Sequence, residues 1–353
     1  MCSISVIIPC YHVEKFISRC LNSVICQTFS DWEIIVVDDC GQDQSMKIVH
    51  NIASGEPRIK IIANPKNSGQ GASRDAGAAA ATGKYILMLD SDDWIAPKTL
   101  QKCYDTAEKS QADMVVFSVK HHYHFSSRIY PQLQTDNIVY TGKQLMEKYL
   151  TVVGQDKIPN VERYEWNKFI KRDIIKDHYL SHLPGRLMGE DFYFCGLLLF
   201  YCQRIVCLSD VLYHYERRNA QSLTAAKNID LFLTMTTTWS ELKIFFINQN
   251  FWSPQLQKTF WCGWHRQLFF ELMHRISLCD DVFNRNLLLR LSCKIKQLKL
   301  YTEAENPRYE SLQKLFLQKN ITTKQLWSLK IQKLKIVYIP LWAYLLKQKL
   351  LKD

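Results

Sequence analysis

The chain has 353 residues, 47% hydrophobic and 22% charged, which is ordinary globular composition and enough for a large domain with an extension or for two domains. Its net charge of +11 lies in the C-terminal third, because residues 1–230 hold 26 basic and 26 acidic side chains, whereas residues 231–353 hold 19 and 8. No apolar run approaches the roughly 20 residues of a spanning helix, and neither a signal-peptide pattern nor a CxxC or zinc spacing is visible among the twelve cysteines, so we expect a cytoplasmic protein with reduced thiols.

The first 120 residues alternate between short apolar runs and segments with helical spacing. Alternation of this kind predicts an α/β fold with a parallel, doubly wound sheet. From residue 228 onward the pattern is helical. In chain order, the predicted strands are Ser3–Pro9, Glu33–Asp39, Arg58–Ala63, Tyr85–Leu89 and Asp113–Val119, and the predicted helices between them are Val13–Cys26, Asp43–Ser54, Gly71–Ala81 and Pro97–Lys109.

Candidate ligand-binding residues follow the ends of the first two strands, where sheets of this type bind ligands. Tyr11 comes just past the first strand and could stack on a nucleotide base, or it could be an aromatic at the rim of a cleft. Asp39 ends the second strand and could accept a hydrogen bond from a ribose hydroxyl or a base N–H. Its alternative role is to cap the next helix.

The loop of residues 67–73 (NSGQGAS) feeds the start of the third helix. Helix N-termini favour phosphate, and Arg74 on the first turn could reach a diphosphate. A glycine-rich loop is weak evidence by itself, and this one lacks the GK[ST] sequence of a P-loop.

Two acidic clusters are the strongest chemical signal. Asp90-Ser91-Asp92-Asp93 follows the apolar strand at Tyr85–Leu89, and carboxylates one residue apart there can bind Mg²⁺ or Mn²⁺ together with substrate phosphates. The alternative is a solvated acidic turn. Glu190-Asp191 precedes an apolar segment, where partial burial would raise a carboxyl pKa toward that of a general base. The alternative there is a helix N-cap.

Taken together, these motifs resemble glycosyltransferase family 2, a family of inverting enzymes with the GT-A fold. The resemblance covers about residues 3–224, and several motifs occur in order at spacing similar to that of the family. They are SVIIPCYHVEKFISRCLNSVICQTFSDWEIIVVDD at 5–39, NSGQGASRDAG at 67–77, GKYILMLDSDDWIAP at 83–97, WNKFIKR at 166–172, GEDFYF at 189–194 and YHYERRNAQSLT at 213–224.

The resemblance implies a GT-A catalytic domain over residues 1–225, with a nucleotide-sugar half at 1–120 and an acceptor half at 121–225. Residues 226–353 would be a helical C-terminal region. It also implies a role for each matching position. Pro9, Tyr11 and Asp39 would line the nucleotide pocket, with Asp39 at the base or ribose, and Arg74 would lie near the diphosphate. Asp90 would contact the nucleotide as well, and Asp92 with Asp90 would hold Mn²⁺ or Mg²⁺.

On the acceptor side, the resemblance makes Asp191 the catalytic base, with Glu190 supporting it or touching the acceptor. Trp166 would lie near the sugar or acceptor, and Asp93 close to the ligands. Arg217 or Arg218 would hold the leaving diphosphate. Glu216 stands where the family often has an arginine, which leaves open which arginine does so.

The expected activity is transfer of a hexose or N-acetylhexosamine from a UDP-sugar to a hydroxyl of a growing surface glycan (lipooligosaccharide, O-antigen or capsule), with inversion. A sugar nucleotidyltransferase is an alternative, but Cys10-Tyr-His-Val-Glu14 replaces the glycine-rich, basic loop that such enzymes need. A nucleic-acid binder is disfavoured because residues 1–230 are neutral and lack a basic-aromatic motif.

The C-terminal segment at residues 324–352 interleaves seven lysines with leucine, isoleucine and tryptophan. This pattern is typical of a helix that lies in a membrane interface. It is also compatible with a terminal helix packed on the catalytic domain. We therefore expect peripheral attachment to the inner face of the cell membrane, where a lipid-linked acceptor would lie. Oligomeric state is not indicated by the sequence.

Overall fold

The structure is a computed structural model that describes residues 2–130, 138–151, 163–183, 189–218 and 229–275, with single positions between 288 and 297. The chain forms two compact units, residues 1–226 and 227–353. The first unit contains the β-sheet and the residues that the sequence singles out as functional.

Four parallel strands form the N-terminal half of the sheet, in the order β3-β2-β1-β4. Every residue of β1 is buried, as expected for a parallel strand covered on both faces. Cys10 pairs with Asp38, and Asp38 pairs with Ala63, so three strands end level and their following loops meet at one edge. The strands are β1 (Ile4–Cys10), β2 (Trp32–Asp38), β3 (Ile59–Ala63) and β4 (Tyr85–Met88).

Four helices pack around these strands. The buried positions of α1 are Ile17, Cys20, Leu21 and Val24, which is the i, i+3, i+4, i+7 spacing that predicts the helix. Near its end, α3 approaches β1 so closely that a Cβ on Gly77 would lie 2.3 Å from Ile7 Cγ2. The helices are α1 (Ile17–Ile25), α2 (Ser45–Ala53), α3 (Gln70–Ala80) and α4 (Thr99–Ser110).

The other half of the sheet is mixed: the predicted α/β sheet is confirmed, and this half adds antiparallel strands to the parallel ones that the alternation predicts. The full order is β3-β2-β1-β4-β8-β6-β9-β5, with β7 paired to β6. Strand β8 lies antiparallel between β4 and β6, where Phe169 pairs with both Leu87 and Val115. Local alternation cannot reveal a strand inserted from later in the chain. The strands are β5 (Trp94–Ile95), β6 (Met114–His122), β7 (Ser127–Tyr130), β8 (Lys168–Lys171) and β9 (Ile205–Glu216).

Three further helices belong to the first unit: α5 (Gly142–Thr151), α6 (Arg172–Asp177) and α7 (Glu190–Tyr201). In the second unit, α8 (Ile229–Asn248) and α9 (Pro254–Arg275) bring Trp239 within 4.9 Å of the Phe260 ring. Among the helices described, none is both long and apolar enough to cross a membrane. The lysine-rich segment at 324–352 lies outside the described residues, so its predicted membrane contact stays a prediction.

Candidate active site

The loops after β1 and β2 form the first part of the site. Tyr11 follows β1 directly and is 45% exposed, with its ring edge-on to His12 at 4.3 Å. An exposed aromatic at a strand end is available for stacking on a base. Pro9, in contrast, is a buried residue of β1 that shapes the strand end.

Asp39 lies buried beneath the loop that begins α3. Its Oδ1 accepts hydrogen bonds from Asn64 Nδ2 at 2.7 Å and from the Ser68 N–H at 2.8 Å. Its Oδ2 accepts from the N–H of Gly69 at 2.9 Å, and Gly69 has a φ of +87° that favours glycine. Asp39 therefore fixes the path of the loop into α3, and its contact with a base or ribose stays a prediction.

The acidic turn after β4 divides its carboxylates between two roles. Asp93 is fully buried, and its carboxylate accepts hydrogen bonds from the Tyr213 hydroxyl and the Glu216 N–H, both at 2.7 Å. Burial, with the neighbouring carboxylates of Asp92 and Asp90, raises the pKa of Asp93 well above its usual value. Asp93 therefore links the turn to β9, and its predicted place close to the ligands stays a prediction.

Asp90 and Asp92 are the carboxylates of this turn that suit a cation. Asp90 Oδ1 accepts from Gln70 Nε2 and Arg74 Nη2, each at 2.7 Å, and Asp92 is partly exposed, with its carbonyl oxygen bonded to Arg19. Two carboxylates at the end of a buried strand are the hard oxygen donors that Mg²⁺ and Mn²⁺ prefer. The donor set therefore fits either ion.

Arg74 joins the two acidic clusters. Its guanidinium is buried, with Nη2 2.7 Å from Asp90 Oδ1 and Nη1 2.6 Å from Asp191 Oδ1 and 3.2 Å from Glu165 Oε1. Its position brings the turn after β4 and the start of α7 into one site. The predicted contact of Arg74 with the diphosphate stays a prediction.

Glu190 and Asp191 form the first turn of α7, after Gly189, whose φ is +87°. Burial raises the pKa of Asp191 well above its usual value; Arg74 opposes that rise, and the carboxylates of Glu165 and Glu190 add to it. Burial likewise raises the pKa of Glu190. Asp191 is partly exposed, and a reachable carboxylate with raised proton affinity has the chemistry of a general base.

Further charged side chains contact the partners of Arg74, and reasoning from the sequence did not identify them. His182 Nδ1 is 2.6 Å from Asp75 Oδ1, and His182 Nε2 is 2.6 Å from Glu165 Oε1. Burial opposes the charged imidazole, but Glu165 and Asp75 outweigh that effect and raise the pKa of His182 to about 10. Burial also opposes the charged form of Glu165, yet His182 and Arg74 lower its pKa to about 2.

Glu165, His182 and Asp191 could be read as a metal site, because one possible ligand atom of each lies within 4.8 Å of the others. However, Arg74 Nη1 already lies between Glu165 and Asp191. In addition, a protonated imidazole has no lone pair to offer. We therefore interpret this group as a hydrogen-bonded charge network.

Trp166 lies deeper than the sequence predicts. It is 3% exposed, and its ring stacks on those of Tyr164 at 5.0 Å and Tyr213 at 4.8 Å. With so little surface Trp166 supports these two tyrosines, and its predicted place near the sugar or acceptor stays a prediction. Tyr164 is 40% exposed and is the aromatic that the stack presents to solvent.

The two arginines after β9 differ in their partners. Arg218 binds Glu216 through two hydrogen bonds, with Nε 2.6 Å from Oε1, and Glu216 also binds Arg19. Arg217 is exposed and its guanidinium lies 4.8 Å from the centre of the Tyr215 ring. Within the described residues no carboxylate forms a salt bridge with Arg217. Of the two, Arg217 is therefore the arginine that remains available for an anion.

Comparison with known proteins identifies the domain. Residues 5–178 match the model of glycosyl transferase family 2. The putative glycosyltransferase EpsH of Bacillus subtilis is 31% identical over a segment that covers 61% of this chain and 60% of EpsH. The chain thus spans about 60% of the length of that relative.

Solved structures show the same fold. A crystal structure of a Staphylococcus aureus TarS fragment with UDP-GlcNAc has a TM-score of 0.67 at 20% identity, covering 94% of this chain and 89% of that one. The mannosyltransferase PcManGT of Pyrobaculum calidifontis, with GDP-Man and Mn²⁺, has a TM-score of 0.52 at 13% identity, covering 94% and 87%. These likenesses confirm the predicted GT-A fold. The family itself rests on the family model, which identifies residues 5–178 as a glycosyl transferase family 2 domain.

Proposed function

We propose that this chain is an inverting glycosyltransferase that moves a hexose or N-acetylhexosamine from a UDP-sugar to a hydroxyl of a growing surface glycan, such as lipooligosaccharide, O-antigen or capsule. The observation that carries this proposal is the placement of Asp90 and Asp191 on the same guanidinium of Arg74. A carboxylate suited to a cation and a carboxylate of raised proton affinity thereby share one site. A single displacement needs both, one beside the leaving diphosphate and the other beside the acceptor hydroxyl.

The donor is bound at the carboxyl ends of β1, β2 and β4. Tyr11 stacks on the base, Asp39 and the loop that it fixes contact the nucleoside, and Asp90 faces the diphosphate. UDP is favoured as the nucleotide because the structurally similar TarS fragment was crystallised with UDP-GlcNAc and with UDP.

Mg²⁺ or Mn²⁺ is the proposed cofactor, held by Asp92 and Asp90. When bound, such an ion neutralises the negative charge that grows on the departing diphosphate. Arg217 contributes positive charge from the chain itself, because its guanidinium is exposed beside Tyr215 and forms no salt bridge among the described residues.

In the transfer step, Asp191 removes the proton from the acceptor hydroxyl. The oxygen forms a bond to the anomeric carbon on the face opposite the diphosphate, while the bond from that carbon to the diphosphate oxygen breaks. One displacement with one base inverts the configuration, and the proton stays on Asp191 until product leaves. A raised pKa suits this role, because proton transfer is most effective when the pKa of the base is near the working pH.

The direct test is a donor screen that measures UDP release from UDP-Gal, UDP-GlcNAc, UDP-Glc and UDP-GalNAc, with added glycan acceptors and Mn²⁺. We expect one donor to give acceptor-dependent release that is lost in Asp191→Asn. Release of pyrophosphate from a nucleoside triphosphate and a sugar phosphate would instead indicate a nucleotidyltransferase, and no acceptor-dependent release from any donor would contradict the proposal.

Membrane contact through the lysine-rich segment at 324–352 is a separate part of this proposal, and a lipid-linked acceptor would lie at that surface. Deletion of residues 321–353 followed by cell fractionation tests it. We expect the full chain to pellet with membranes and the truncated chain to stay in the supernatant. Equal pelleting of both would show that this segment is not the anchor.

A further inference from the structure

His182 is buried and takes no part in the proposed transfer step, yet both ring nitrogens, the ring face and the backbone N–H all have partners. Its ring nitrogens bind Asp75 and Glu165, and its backbone N–H donates to Asp75 Oδ2 at 2.9 Å. Its ring stacks on Phe194 of α7, with centroids 4.4 Å apart and an angle of 8° between the planes. The imidazole of His182 therefore links α3, Glu165 and α7.

The fold makes room for this ring at Gly71. A Cβ at that position would lie 2.9 Å from His182 Cβ and 3.1 Å from Cγ. Both atoms belong to the stiff base of the side chain and cannot move away easily. The glycine in the first turn of α3 is thus required by the close approach of His182, a constraint separate from phosphate binding.

The contacts of His182 determine which partners Arg74 has. Glu165 is fully buried and accepts from His182 Nε2 at 2.6 Å, a shorter contact than the 3.2 Å to Arg74 Nη1. Without His182, Arg74 would be the positively charged side chain that still forms an ion pair with Glu165 among the described residues. A buried carboxylate needs a close partner, so Glu165 would draw the guanidinium away from Asp90 and Asp191.

We propose that His182 is a positioning residue for transfer: as an imidazolium between Asp75 and Glu165 it satisfies Glu165, so that Arg74 can hold Asp191 beside the acceptor and Asp90 beside the cation. The proposal rests on the transferase function proposed above. It assigns no contact between His182 and substrate.

The test uses His182→Phe, which keeps the ring stack on Phe194 but removes both hydrogen bonds. The control is His178→Phe, which alters an exposed histidine after α6 that stacks on Tyr201. We expect kcat to fall about 10- to 100-fold in His182→Phe, because small misplacements of reacting groups have effects of that size. The KM for the UDP-sugar should change less than kcat, because the loss of the Arg74 contact displaces the proposed base Asp191 directly but alters only Asp90 among the groups proposed to bind the donor. Unchanged kcat in a folded variant would overturn the proposal.

The pH profile separates positioning from general loss of structure. Asp191 faces Arg74 from α3, Glu165 from the segment before β8, and Glu190 beside it on α7. Loss of the imidazolium leaves the negative charge of Glu165 less compensated, so the acidic limb of the kcat profile should move to higher pH. A fall in kcat with an unmoved limb would contradict the proposal.

The double variant His182→Phe/Glu165→Gln tests whether His182 acts through Glu165. We expect the double variant to be no slower than His182→Phe, because the charge that lacked a partner is gone. Effects that multiply would show independent roles and refute the inference. His182→Asn, which retains one donor group, should give a kcat between those of wild type and His182→Phe. It replaces His182→Phe in these assays if the phenylalanine variant does not fold.

Imidazole ¹⁵N NMR of the full chain gives a readout that does not depend on activity. We expect His182 to remain protonated at pH 8 and to lose that protonation in Glu165→Gln. If wild type transfers no sugar but His182 is protonated, the proposed function fails while the charge network stands. If transfer is active and His182 is neutral at pH 8, this inference fails alone.

Discussion

Asp90 and Asp191 bind the same guanidinium, with Asp90 Oδ1 2.7 Å from Arg74 Nη2 and Asp191 Oδ1 2.6 Å from Nη1. The two carboxylates come from different halves of the first unit, one after β4 and the other in the first turn of α7. Because one buried cation serves both, a change in either acidic cluster alters the balance of charge at the other.

The first prediction concerns the base. Asp191→Asn should keep UDP affinity within about twofold and reduce kcat by about 10² to 10⁴, the usual contribution of a general base. Asparagine keeps an oxygen that can accept from Arg74 but cannot take a proton. Isothermal titration with UDP and a coupled UDP-release assay give the two quantities. Asp177→Asn, which alters an exposed carboxylate at the end of α6, is the control, and full turnover in Asp191→Asn would require another base.

The second prediction concerns the cation. In wild type, EDTA should weaken UDP binding and Mn²⁺ should restore it. In Asp92→Ala, binding should be weak and insensitive to Mn²⁺, because one of two proposed metal carboxylates is gone. Titration of UDP with and without Mn²⁺ measures this for Asp92→Ala and for the control Asp177→Ala. Equal enhancement by Mn²⁺ in both variants would place the ion elsewhere.

The third prediction separates two adjacent arginines. Arg217→Gln should raise the KM for the UDP-sugar, since this guanidinium forms no salt bridge among the described residues and is proposed to meet the diphosphate. Arg218→Gln should have little effect on that KM, because its guanidinium binds Glu216. The two KM values from the release assay decide the matter. A larger effect of Arg218→Gln would reverse the assignment.

Much of the fold could be predicted from the sequence, because the signals were local. The apolar runs of β1 to β4 and the spacing of Ile17, Cys20, Leu21 and Val24 in α1 depend on burial at fixed periods. The mixed half of the sheet could not be predicted in this way. Strand β8 pairs with β4 and β6, which precede it by many residues. Its own four residues therefore do not predict where it lies in the sheet or in which direction it runs.

The candidate site divides in the same manner. The acidic motifs at Asp90 and Asp191 were visible because their residue types and positions carry chemical meaning. The burial of Arg74 and Asp93 could not be predicted, because a charged side chain is expected to be exposed unless its partners are known. The role of His182 could not be predicted from the sequence, because a single histidine forms no periodic pattern. Its partners Asp75 and Glu165 also lie in other segments of the chain.

The fourth prediction concerns stability at the acidic turn. Asp93→Ala should lower the free energy of unfolding by about 1–3 kcal/mol, because the Tyr213 hydroxyl and the Glu216 N–H lose a buried acceptor. Urea unfolding followed by circular dichroism measures the change. Asp177→Ala, at an exposed position, should stay within about 0.5 kcal/mol of wild type. An equally small effect for Asp93→Ala would mean that water satisfies both donors.

The last prediction concerns pH. The pKa of His182 is raised from 6.5 to about 10 in the folded chain, so the stability that its charge contributes is complete below pH 6.5 and declines as pH rises toward 10. Buried thiols such as Cys103, whose pKa is raised from 9.0, also lower the free energy of unfolding as pH rises, but only near and above pH 9.0. Other buried groups with shifted pKa values, such as Asp93 and His121, also affect stability near this range, so the contribution of His182 is read from the difference between wild type and His182→Phe between pH 6.5 and 8.5.

Over that interval wild type should lose on the order of 2 kcal/mol more unfolding free energy than His182→Phe does. Urea unfolding at fixed ionic strength gives the two slopes, with His178→Phe expected to follow wild type. Parallel slopes for wild type and His182→Phe would mean that His182 is neutral when folded. In that case Glu165 would have no positive charge from His182, and the proposed role of His182 as an imidazolium that satisfies Glu165 would fail.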